Sequence, residues 1–254
     1  MPPQRDPARG WRGTSGGKPD LRIQRYGGCE FREMPASHTV VSEAGYPRYF
    51  ADRLASRGLT VEFSDRFTET FDELPRTAAE LHEHVKLTAP PDLVLLQVGT
   101  NYAYRTLLGE GGRRRRIRDW VGRSLGRRAF GGYRIVDPVV RRLGRPYLRY
   151  GGAERLDDFV ALVRSEWPEA EIVAIGLFPV MSDGSFDPGL QRRVSQETLD
   201  RARRLGVETL ETEGLLPPDP GLYCANGAQL SPKGSRLVAD ALYGWWSSRA
   251  RKAR

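Results

Sequence analysis

The run Pro91-Asp92-Leu93-Val94-Leu95-Leu96-Gln97-Val98-Gly99-Thr100-Asn101 carries a polar amide at the end of an apolar, β-branched stretch. A buried parallel strand reads this way when it delivers a side chain to the carboxyl edge of its sheet, where α/β proteins place their sites. A second reactive group, Cys29, follows Gly27-Gly28 at the end of a short stretch that alternates Leu21, Ile23 and then Tyr26. A thiol is a better nucleophile than a hydroxyl because a fraction of it is thiolate at pH 7. A nearby Arg or a helix amino terminus lowers its pKa further. A small buried cysteine is also a common core residue, so a chemical and a packing role for Cys29 both stand. Cys224 is the other cysteine; two unpaired thiols are expected rather than a Cys29–Cys224 bridge.

Candidate bases are few. His82 and His84 are two apart on an expected helix, point in different directions and read as solvent-exposed. His38, in the loop after Cys29, is the one histidine expected within reach of a cleft at this edge. Glu30 and Asp65 lie near strand ends and read as solvated acids. No His, Cys and Asp cluster has metal-ligand spacing, and no metal or other cofactor is expected. Gly27-Gly28 and Gly151-Gly152 lack the spaced glycines of a phosphate-binding loop.

The elements that must position these groups alternate between strand and helix. Strands are expected at 21–26, 59–63, 93–98, 171–179 and 207–210. Helices are expected at 46–57, 74–85, about 154–165, 190–205 and from Ser231-Pro232 onward. Gly206 lies where a C-cap glycine belongs. In the last helix, Leu237, Ala241 and Trp245 fall on one face. The alternation predicts a mostly parallel sheet with helices on both sides. Residues 1–20, rich in Pro, Gly and Arg, read as a flexible tail, and 247–254 as a basic tail, leaving one domain over 21–246.

Residues 103–150 interrupt the rhythm. They hold fourteen arginines against three acids, with Arg113–Arg116 in a row. The segment reads as an insertion of one or two short helices near the carboxyl edge. The whole chain has a net charge of +8 and a pI of about 9.8. This balance admits an anionic partner for the insertion, whether substrate, acidic protein or headgroup. No nucleic-acid motif accompanies the charge, so nucleic acid is not the expected partner. The excess of arginine over lysine also matches what a GC-rich coding sequence gives. No apolar run is long enough to span a bilayer, and the amino-terminal residues carry no apolar segment of the secretory kind. The expected location is cytoplasmic.

Several of these stretches together resemble the conserved blocks of the SGNH, or GDSL-type, hydrolases, over roughly 21–102 and 154–245. Cys29, after the first strand and Gly27-Gly28, stands where that family keeps its nucleophilic Ser. The stretch 64–69, including Thr68, stands at the second block and has no Gly. Gly99 and Asn101 match the third block, in which the Asn helps form an oxyanion hole; Tyr102 replaces the usual Asp. Asn226 and Gln229, before Leu230-Ser231-Pro232-Lys233-Gly234, stand in place of the Asp and His of the last block. Gln cannot accept a proton near neutral pH, so the base and its orienting partner are both missing from those positions.

The resemblance implies a single three-layer α/β domain with a mostly parallel five-stranded sheet in flavodoxin-like order. It also implies a small ester or acyl substrate. Cys29, Asn101, Asn226 and Gln229 are the catalytic candidates, with Gly28, Gly99, Thr68 and His38 as substrate-binding candidates. Gly27–Cys29, Asn101 and the Asn226–Gln229 loop are expected to converge at one sheet edge. Two functions remain open: an esterase or acyl transferase that uses Cys29, and a degenerate member that binds a ligand or partner without turnover.

Overall fold

The first strand, β1 (Leu21–Gly27), is buried at every position although it carries Arg22, Gln24 and Arg25. Charges are tolerated there only because partners meet them. Arg22 lies 3.5 Å from Glu62 and 3.9 Å from Asp92, and its own amide donates to Asp92 at 2.7 Å. Arg25 bonds Asp65 at 2.8 Å and covers the Phe63 ring at 4.5 Å. Asp65 is therefore the partner of a buried arginine and not a solvated loop acid.

The computed structural model describes residues 18–28, 45–106, 145–146, 149–180, 186–223 and 229–252. Along them run α1 (Tyr46–Ala55), β2 (Val61–Phe67), α2 (Ala78–His84), β3 (Leu93–Gln97), β4 (Arg105–Thr106) and β5 (Arg145–Pro146). After these come α3 (Arg155–Glu166), β6 (Glu171–Ile175), α4 (Pro188–Arg204), β7 (Glu208–Leu210) and α5 (Pro232–Lys252). Five strands form one parallel sheet in the order β2-β1-β3-β6-β7. This is the expected three-layer, flavodoxin-like arrangement, with β3 at the centre.

Alternate residues of the same strands serve two cores. Leu21, Ile23, Leu93, Leu95, Val173 and Ile175 pack with Phe50 and Leu54 of α1 and with Val238 and Leu242 of α5. Tyr26, Val94, Leu96, Ile172 and Ala174 pack with Leu81 of α2, Phe159 and Val163 of α3, and Val194 and Leu199 of α4. Burial on both faces is the reason β3 reads as a continuous apolar run, whereas β1 shows only Leu21, Ile23 and Tyr26 among polar residues.

Several boundaries differ from the sequence reading. β2 spans 61–67 rather than 59–63, because pairing with β1 carries the strand through the polar residues Ser64, Asp65 and Arg66. α2 starts at Ala78, not Leu74: Thr77 caps it by accepting from the Glu80 amide at 3.2 Å, after Pro75. The buried residues of α5 are Val238, Ala239 and Leu242, while Leu237 is exposed. That helix also runs on through most of 247–254, the stretch expected as a tail. Gly206 does close α4, with φ of +66°.

Candidate functional site

At the carboxyl edge, β3 ends in Gly99, whose φ of +118° is open to glycine and strained for other residues. The turn Thr100–Tyr102 follows, closed by Tyr102 N–H donating to Gly99 O at 3.1 Å and Ala103 N–H to Thr100 O at 3.1 Å. Asn101 is half-buried in this turn, one strand away from the end of β1. Tyr102, in the place of an acid, is an anchor. Its hydroxyl accepts from Phe71 N–H at 3.2 Å and donates to Gly151 O at 3.1 Å, and its ring stacks on Phe71. Burial raises its pKa, so it remains a neutral phenol.

Gly28 is buried directly after β1. Thr68 is also buried, and its N–H donates to Gly27 O at 2.9 Å. The next amide, Glu69 N–H, is bonded to Glu73 at 2.6 Å. Both amides at this corner are thus committed within the fold, and neither is free to bind a substrate oxygen.

Gln229 is buried at the foot of the last loop. Tyr223 and Leu230 bridge across that foot, and Ser231 N–H donates to Leu222 O at 2.9 Å. Leu222, Tyr223 and Leu230 join the same core as Tyr46 and Phe178, which places the loop stem on the α1 and α5 side of the sheet. Ser231 caps α5, its hydroxyl accepting from Gly234 N–H at 3.3 Å. Cys29, His38, Cys224 and Asn226 lie outside the described residues.

Sequence reasoning passed over Gln97. This amide is 1% exposed at the end of β3. Its Oε1 accepts from the Tyr46 hydroxyl at 3.1 Å, and its Nε2 donates to Gly176 O, beyond β6, at 2.5 Å. The available signal was one amide inside an apolar strand, since a buried amide must find partners.

The histidines differ from expectation in part. His82 is exposed and bonded to Glu166 at 2.9 Å, but His84 is half-buried beside Tyr26. Among the described residues, no group of three or more His, Cys, Asp or Glu could hold a metal ion. No helix among them is long and apolar enough to cross a membrane.

The basic insertion has its neck at this same edge. β4 and β5 pair antiparallel, Arg105 with Pro146 and Thr106 with Arg145, and Tyr104 bridges to Phe186 just before α4. Residues 107–144 hold eleven arginines against three acids. They therefore carry a net charge equal to the +8 of the whole chain, and the remainder is balanced.

No sequence-family profile matches the chain, and no curated protein matches it in sequence. Solved structures do match in shape. The lipase/acylhydrolase from Enterococcus faecalis aligns over 90% of this chain and 96% of its own, with a TM-score of 0.57 at 11% identity. The family 3 carbohydrate esterase of Clostridium thermocellum aligns over 92% and 98%, at 0.52 and 14%. A Parabacteroides merdae chain inferred to be a GDSL-like lipase aligns over 88% and 94%, at 0.54 and 12%. The chain thus has the fold of the GDSL-type esterases and lipases.

Proposed function

We propose that this protein performs acyl chemistry at the carboxyl edge of its sheet, with Cys29 as nucleophile and Asn101 as oxyanion donor. The observation that carries the reading is the position of Asn101. It sits in the turn after β3, beside the end of β1, and Cys29 follows β1 after one further glycine. The Cys29 thiolate would attack an acyl carbonyl, and the negative charge on the carbonyl oxygen would be met by the Asn101 amide. Collapse would expel the alcohol portion, which takes a proton from water, and leave a thioester on Cys29. Water or a second nucleophile would then accept the acyl group and return the thiolate.

Gln229 and Asn226 would bind substrate or hold the loop, because neither side chain takes up a proton near neutral pH. A positioned base contributes roughly 10²–10⁴-fold, so hydrolysis of simple aryl esters should be weak and transfer to a stronger nucleophile favoured. The bonded amides of Thr68 and Glu69 leave the main chain at Gly28 and Cys29 as the natural second donor.

A reading without turnover has its own support in the burial of Gln229 where a proton acceptor would be needed. The two are separated by incubating the protein with activated acyl donors and measuring its intact mass. An acyl adduct that maps to Cys29 and is absent in Cys29→Ala is the expected result. Robust ester turnover surviving Cys29→Ala would place the nucleophile elsewhere. Saturable ligand binding with neither adduct nor turnover would leave a binding protein.

A further inference from the structure

We propose that Thr100 and Gln191 form a polar subsite beside Asn101 that takes a hydroxyl group of the substrate. Each holds a buried oxygen with no hydrogen-bond partner among the described residues: Oγ1 of Thr100 and Oε1 of Gln191. Thr100 is 4% exposed and Gln191 2%. Buried polar atoms are nearly always bonded, so two unpaired oxygens at the edge that presents Asn101 point to a ligand group that pairs them.

The fold brings the two together where the turn after β3 runs along the start of α4. Gly99 abuts Val194 of α4, and Asp187 N–H donates to Ala103 O at 2.8 Å. Gln191 lies between those two ties on the helix side, its N–H donating to Asp187 O at 2.9 Å and Val194 following three residues later. Thr100 lies between the same ties on the turn side, directly before Asn101.

The existing bonds decide what the subsite accepts. Gln191 Nε2 donates to Phe178 O at 3.3 Å, which commits the amino end of the amide and leaves Oε1, an acceptor only. The Thr100 hydroxyl can donate and accept. A ligand hydroxyl suits both: its hydrogen goes to Gln191 Oε1, and its oxygen accepts from Thr100. A carboxylate would face the Gln191 oxygen with no hydrogen to share. An alkyl group would leave both protein oxygens desolvated and unpaired. The substrate class is therefore an ester hydroxylated in its acyl or its alcohol part. The inference rests on the proposed acyl chemistry for the ester; the preference for a hydroxyl stands on Thr100 and Gln191.

The test is binding of neutral, unreactive amides to the full chain, followed by proton NMR titration. Butanamide against β-hydroxybutanamide places the hydroxyl on the acyl side, and N-ethylacetamide against N-(hydroxyethyl)acetamide places it on the alcohol side. In one pair the hydroxylated member should bind roughly tenfold tighter, and the pair that shows this identifies the part recognised. Thr100→Val and Gln191→Met should each cut that preference to about twofold or less, while Thr100→Ser, which keeps the hydroxyl, should retain it. Should Gln191→Met not fold, because Phe178 O loses its donor, Thr100→Val carries the test. Thr198→Val is the control: a buried hydroxyl on the same helix that already donates to Val194 O at 2.7 Å. It should leave the preference unaltered, as should any change that acts through stability alone. No preference in either pair, or one that survives both Thr100→Val and Gln191→Met, overturns the inference. Asn101→Ala should weaken both members of the preferred pair alike. A preference that depends on Thr100 and Gln191, with binding indifferent to Asn101→Ala, instead removes Asn101 from the carbonyl and leaves the subsite standing.

Discussion

A Cβ placed on Gly99 would lie 2.9 Å from Cγ1 of Val194. The turn that presents Asn101 is therefore pressed against α4 as well as requiring a left-handed residue. Gly99→Ala combines backbone strain with a clash and should cost about 2–4 kcal/mol. In urea unfolding, the same substitution in a Val194→Ala background should cost less, because the clash is relieved and the strain is not. Equal costs in both backgrounds would show that α4 does not constrain the turn.

Two glycines of α5 should respond with opposite sign. Ala in a helix interior is favoured over Gly by roughly 0.5–1 kcal/mol. Gly244 has open space where a Cβ would go, so Gly244→Ala should raise stability by about that much. At Gly234 a Cβ would stand too close to the Leu222 carbonyl for any side-chain adjustment to help. Gly234→Ala should therefore destabilise strongly and free the Tyr223–Leu230 stem. Thermal unfolding of both variants checks this, and a stabilised Gly234→Ala would mean α5 is not seated on residues 220–222.

His84 makes a pH dependence. Burial, and after it the charge of Arg66, hold its pKa below the ordinary value, against the opposing pull of Glu83 and Glu80. The unfolded chain binds the proton near the usual histidine value of about 6.5, the folded chain only at lower pH. The stability this neutral ring permits is fully present above about 6.5 and is lost as pH falls from there toward the folded value. His84→Phe keeps a ring beside Tyr26 and should flatten stability between about pH 7 and about pH 5. Parallel native and variant curves would remove the effect.

These residues also show what could be read from sequence. β3 was legible because a strand buried on both faces is an apolar run with a sharp end, and β1 from Leu21, Ile23 and Tyr26 ahead of Gly27-Gly28. The end of β2 was not, since Ser64, Asp65 and Arg66 carry no apolar alternation and remain strand only through β1. The phase of α5 was ambiguous because Leu237, Val238 and Ala239 are consecutive, and only packing decides which is exposed. The edge that holds Gly28, Gly99 and Asn101 followed from strand order. The role of Gln97 depends on Tyr46 and Gly176, fifty-one and seventy-nine residues away, and no local pattern encodes such pairs.

The arginines of the insertion make a separate expectation. A surface that neutralises several anionic groups loses affinity steeply as salt rises. Binding to acidic lipid vesicles and to acidic polypeptides should be measured over a salt series, with nucleic acid alongside. Reversing Arg113–Arg116 to Glu should abolish the salt-sensitive part. A native chain with no salt-sensitive binding to any of these ends the docking role, and binding unchanged by the reversal moves it to another basic stretch.

The neck at Thr106 and Arg145 makes the insertion removable. The two strands already pair antiparallel, so an Asn-Gly turn can join them in place of 107–144 while the parallel sheet keeps its own hydrogen bonds. What remains would carry equal numbers of acidic and basic side chains and so be isoelectric near neutral pH. Proteins in that state associate and precipitate readily. The shortened chain should retain its far-ultraviolet circular dichroism, pass through a cation exchanger that holds the full protein, and be least soluble at physiological pH. The insertion would then act as the molecule's colloidal stabiliser, keeping a body of zero net charge dispersed whatever else it binds.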